Sequence, residues 1–109
     1  MARKKLKIEI IIPKFYNDGK KIDPAIHLKT NDDLSKQFGS FIEDPSSQLG
    51  EWKDPTTGIK YKDTNFIYWI LCEHDNKHLN FLKKFKKKLE KRYEQQKILI
   101  YYSKVYEMN

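Results

Sequence analysis

The order of apolar segments predicts an α+β fold: a ferredoxin-like β-α-β-β-α-β sandwich, with two helices on one face of a four-stranded antiparallel sheet. Three observations carry this. A period-two run, Leu6, Ile8, Ile10 and Ile12, opens the chain. An unbroken apolar run from Phe66 to Cys72 sits past its middle. Leu82, Phe85, Leu89 and Tyr93 then recur at helical spacing ahead of a last apolar run. At 109 residues the chain suits a single ferredoxin-like domain, 1–109, large enough for a core without disulfides.

The first strand is half buried by its alternation and ends at Pro13. Asn17-Asp18-Gly19 is a turn. Asp23 caps a helix with Pro24 at its first position. Ile26, Leu28 and Leu34 are its apolar points, and Gly39 stops it after Phe38. The polar stretch Thr30-Asn31-Asp32-Asp33 leaves open a fresh start at Asn31. Phe41-Ile42 predicts a short strand, broken by Asp44-Pro45-Ser46-Ser47. Extended structure resumes at Leu49 and turns at Asp54-Pro55-Thr56-Thr57-Gly58, giving an extra β-hairpin around residues 49–62 in which Trp52 faces Ile59 or Tyr61.

The run 66–72 suits a central strand buried on both faces. Phe66, Tyr68 and Ile70 project to one side, Ile67, Trp69 and Leu71 to the other. His74-Asp75-Asn76 caps the second helix, whose stripe is Leu82, Phe85, Leu89 and Tyr93. Residues 98–102 form the last strand, extended by 103–108. The sheet face away from the helices is left open.

Tyr16, Gly19, Phe38-Gly39, Gly50-Glu51-Trp52-Lys53-Asp54, Gly58, Asp63 and Arg92-Tyr93-Glu94-Gln95 form a layout of their own. It resembles that of small prokaryotic ferredoxin-like proteins whose pattern runs FGG-x-T, then G-x-W-x-D, then a glycine and an aspartate before a central strand. The resemblance covers most of the chain. It departs at Ser40 and Ile42, where that pattern has glycine and threonine. It implies the ferredoxin-like fold and brings no activity with it.

The net charge is +7. Residues 76–97 hold nine basic side chains and two acidic ones, so this helix accounts for all of it. Arg3, Lys4, Lys5 and Lys7 make the leading end basic, and the rest is mildly acidic. Such asymmetry attracts polyanions. However, the 22 basic residues include only two arginines, the side chain suited to bidentate phosphate contacts. A solvated lysine face would look the same.

Function classes narrow by exclusion. The longest apolar runs are about seven residues, against the roughly 20 a membrane helix needs, so no membrane partner is expected. Lys7 and Glu9 interrupt the apolar stretch after the basic start, so no signal peptide is expected. A lone cysteine, Cys72, points to a reducing compartment, and the cytoplasm is expected. His74 and His78, spaced i, i+4, resemble a metal pair, but with His27 alone elsewhere they read as helix-cap residues and no metal is expected. The four glycines never cluster into a phosphate loop, and no cofactor is expected.

Three readings follow. The first is a small non-catalytic binding or interaction protein. It would contact nucleic acid or another polyanion through Lys83, Lys84, Lys86, Lys87 and Lys91, with Arg3, Lys4 and Lys5. The second is a structural or protein-interaction subunit, a homodimer joined through the open sheet face. The third is a small enzyme or ligand-binding protein with a pocket near Trp52, Tyr61 and Asp63. No catalytic residue is assigned, and enzyme or not stays open.

Overall fold

The structure, a computed structural model, describes residues 2–53, 56 and 60–108; for 45–53 and 60–64 it describes the backbone alone. The elements are β1 (Ala2–Pro13), α1 (Pro24–Phe38), β2 (Ile42–Lys53), β3 (Lys60–Glu73), α2 (Asn76–Arg92) and β4 (Ile100–Met108). The strands form one antiparallel sheet in the order β2-β3-β1-β4. This is the ferredoxin-like arrangement the sequence predicts.

β1 lies inside the sheet and sets its register. Leu6, Ile8, Ile10 and Ile12 are fully buried toward the helices. Across from them on β3 stand Cys72, Ile70, Tyr68 and Phe66, also buried. Leu82, Phe85 and Leu89 of α2, Leu34 of α1 and Tyr93 close this core from above. The predicted α2 stripe is therefore its buried face.

α1 runs unbroken through the polar stretch. Asp23 accepts a hydrogen bond from the Ala25 N–H at 2.9 Å, and Gly39, at φ 80°, closes the helix. One position on its inner face differs from expectation. Leu28 is 64% exposed and Thr30 is buried in its place. Ile26, Thr30 and Leu34 follow at i, i+4 and i+8, one ridge of the helix, whereas Leu28 is about 200° round from Ile26.

The break expected at Asp44-Pro45-Ser46-Ser47 is a register shift within a longer strand, between Asp44 and Gln48. β2 is an edge strand, where a proline lacking its N–H is tolerated at an irregularity. The short strand and the extra hairpin are thus one long ribbon of β2 and β3. At the opposite end Ala2, Arg3 and Lys4 pair with Met108, Glu107 and Tyr106, so β1 starts earlier than its apolar residues suggest; β4 runs through the expected 103–108 extension but begins at Ile100 rather than at residue 98.

α2 ends in a compact turn. Asp75 caps its start by accepting from the His78 N–H at 2.9 Å. At its end the Gln95 N–H reaches the Glu90 carbonyl at 2.9 Å, with Glu94 held at φ 53°. That left-handed position normally belongs to glycine. Glu94→Gly is expected to raise stability by about 0.5–1 kcal/mol, the relief of left-handed strain less the added chain entropy. A urea midpoint that stays the same or falls would refute this.

Candidate functional site

The sheet leaves a notch at its β2 edge. β2 begins at Ile42, opposite Trp69, so Ile70–Glu73 of β3 have β1 on one side and no β2 partner on the other. In the notch lies a cleft of about 280 Å³, lined by Lys7, Ser40, Phe41, Ile42, Trp69, Ile70 and Leu71. The alternation of β1 and β3 places Lys7, Trp69 and Leu71 on the open face, with Lys7 paired to Leu71. The Lys7 Nζ rests 4.0 Å from the centre of the Trp69 ring, a cation–π contact. Glu9, opposite Trp69 on β1, lies 3.9 Å from the same Nζ. The Trp69 Nε1 is buried with no hydrogen-bond partner among the described residues, a state a buried donor rarely keeps. Phe41 packs edge-on against Tyr68, ring centres 5.3 Å apart.

A second polar group joins the two helices. The Tyr93 hydroxyl lies 2.8 Å from Thr30 Oγ1 and 3.0 Å from His27 Nδ1. Arg92 donates to Thr30 Oγ1 at 3.0 Å and to Asp33 at 2.7 Å. The Tyr68 hydroxyl donates to Asn31 Oδ1. Burial pushes the Tyr93 phenol up to about 12 and the Tyr68 phenol up as well, so both remain protonated donors. Burial tends to raise the Asp33 carboxyl, but Arg92 and Lys88 outweigh it and hold it below its ordinary value. These groups satisfy one another, and their arrangement reads as a tie between α1 and the end of α2.

The polyanion residues do not form one surface. Lys83, Lys84, Lys87 and Lys91 are exposed on α2. Lys86 is hydrogen-bonded to Glu90, which also accepts from the Ile98 N–H at 3.0 Å. Arg3 and Lys5 lie on the opposite, open face of the sheet, where both reach Glu73. Lys4, of the other parity, is exposed on the helix side of β1. For the proposed pocket, the register sets Trp52 opposite Tyr61 and Asp63 opposite Gly50; the three side chains lie outside the described residues. Asp63 is six residues along β3 from Trp69, about 20 Å of strand, so the two places are separate. Burial lifts the Cys72 thiol to about 11, which suits a structural role.

Sequence reasoning missed the Lys7–Trp69 cleft. The alternation put Trp69 on the open side, but only the β2–β3 register shows where the sheet stops covering it.

No family model matches the chain, and no curated protein does. A solved structure does: a phage SAM lyase in complex with S-methyl-5′-thioadenosine. The match has a TM-score of 0.63 at 12% identity and covers 96% of this chain and 90% of that one. The likeness is one of fold. It corrects the expectation of a non-catalytic binding or interaction protein, because the fold it finds is that of an enzyme with a small-molecule ligand. The geometry also divides the basic residues between two faces, with Lys86, Arg3 and Lys5 paired to carboxylates.

The helix tie makes two measurable statements. Tyr93→Phe removes the hydroxyl that His27 and Thr30 share and is expected to cost about 1–3 kcal/mol in chemical denaturation; a loss well under half a kcal/mol would refute the tie. Burial holds His27 below its ordinary 6.5, so the unfolded chain takes up that proton first. Its contribution is fully present above about pH 6.5 and is lost as pH falls from there through the depressed folded value. The depressed carboxyls of Asp33, Glu73 and Glu90 act only at lower pH, below about 4.5. Stability measured between about pH 7 and pH 5 is expected to slope downward, and His27→Gln to flatten that slope. A slope unchanged in the variant would show that another group causes it.

Proposed function

We propose that the chain is a small-molecule enzyme whose ligand is an adenine nucleoside carrying sulfur at its 5′ position, bound in the cleft beside Trp69. The observation that carries this reading is the notch itself, an indole wall beside a bare strand edge. A planar base gains about 1–3 kcal/mol by stacking on an aromatic ring. The edge of β3 beyond Trp69, which has no β2 partner, offers backbone donors and acceptors at alternate residues, of the kind that read a base edge. The cleft is at the small end of ligand sites, which run from about 300 Å³ upward, and suits one nucleoside rather than a dinucleotide. The fold likeness to a SAM lyase holding S-methyl-5′-thioadenosine supports the same ligand class.

Isothermal titration with S-methyl-5′-thioadenosine and with S-adenosylmethionine tests the reading. Saturable binding is expected for both, weakened about tenfold or more by Trp69→Ala. Incubation with S-adenosylmethionine, followed by chromatography, is expected to show S-methyl-5′-thioadenosine forming faster than in buffer. No saturable heat with either compound at about 1 mM would overturn the proposal.

A further inference from the structure

We infer that Lys7 is the anion receptor of the Trp69 cleft, so that the ligand it selects carries a carboxylate on an arm beyond its base. The inference rests on the ligand reading above and adds the group that the cleft's polar end recognises.

Among the described residues, Lys7 is the only charged side chain lining the cleft. The half-buried cations Lys5, Lys86 and Arg92 are committed to carboxylates at hydrogen-bond distance, Glu73, Glu90 and Asp33. Lys7 differs. Its carboxylate neighbour Glu9 stands at 3.9 Å, beyond hydrogen-bond reach, and its ammonium rests on the indole face instead. A cation–π contact is a weaker partner for an ammonium than a charge-assisted hydrogen bond to a carboxylate. A carboxylate entering the cleft therefore draws Lys7 off the ring and frees the ring for the base. An ammonium with no carboxylate at hydrogen-bond distance, in walls otherwise apolar except for the Ser40 hydroxyl, calls for a ligand whose polar end accepts hydrogen bonds and carries negative charge.

The test compares two nucleosides that differ in that arm: neutral S-methyl-5′-thioadenosine and the anionic 5′-S-(3-carboxypropyl)-5′-thioadenosine. Titration calorimetry would use the wild-type chain, Lys7→Met, which keeps the aliphatic stem, and Lys7→Arg, which keeps the charge. The wild type is expected to bind the carboxylate about tenfold more tightly than the neutral nucleoside. That advantage should fall within twofold in Lys7→Met, survive in Lys7→Arg and shrink with added salt. The readout is the ratio of the two affinities within each variant, since removing the ammonium from the indole face alters the stacking of either base alike. A wild type without preference, or a preference unchanged in Lys7→Met, overturns this inference and leaves the ligand reading standing. Failure of the wild type to bind either nucleoside overturns both. Should Lys7→Met melt early, the salt dependence of the wild type decides: an advantage insensitive to salt is against Lys7.

Discussion

The structure depends on one constraint, the burial of a single face of β1. Leu6, Ile8, Ile10 and Ile12 have no exposure, and each stands beside a buried residue of β3. At about 1.5–3 kcal/mol for each fully buried aliphatic side chain, these four contribute an amount comparable to the whole net stability of an ordinary domain, about 5–15 kcal/mol. A slip of one residue would turn all four to water and bring Lys5, Lys7 and Glu9 into the core. The register on both sides of β1 is therefore not free. Its neighbours, β3 and β4, inherit their faces from it.

The cleft is the other side of the same constraint. If the even-numbered residues of β1 must face the helices, Lys7 must face away. The β3 partner of Lys7 is Leu71, and the diagonal neighbour is Trp69. Core packing thus sets an ammonium beside an indole on the open face without any further device. What makes this a cleft rather than a flat patch is the late start of β2. Gly39 and Ser40 carry the chain out of α1, and pairing begins only at Ile42, leaving the edge of β3 bare beyond Trp69.

Periodic features were legible in the sequence and relational ones were not. Local chemistry decides Asp23 and Asp75 as caps, Gly39 as a stop, and the Leu82–Phe85–Leu89–Tyr93 stripe, so these could be read directly. Leu28 and Thr30 show the limit on α1: the apolar label suggested Leu28 for the core, but helical geometry aligns Thr30 with Ile26 and Leu34. The buried hydroxyl is acceptable only because Tyr93 and Arg92, more than sixty residues on, satisfy it. Asp44-Pro45 shows it on β2, where turn chemistry announced an end and an edge position absorbed it as a register shift. The basic cluster shows it for function. Arg3 and Lys5 adjoin Lys4 in sequence, yet strand parity sends them to the opposite face.

The turn after α2 joins these threads. Glu94 accepts a left-handed backbone so that the chain can reverse at once and deliver Ile98 to the core, with its N–H tied back to Glu90. Lys86 charges that same carboxylate from the preceding helical turn and helps hold it below the usual range. A lysine of the basic helix thus works inward, on the path that brings β4 beside β1. Lys7, one of four basic residues at the leading end, is among the described residues the one full charge lining the cleft. Net charge ranked these two lysines by their surroundings in sequence. The chemistry available to each is set by the acceptor within reach, and only the pairing of the strands determines that.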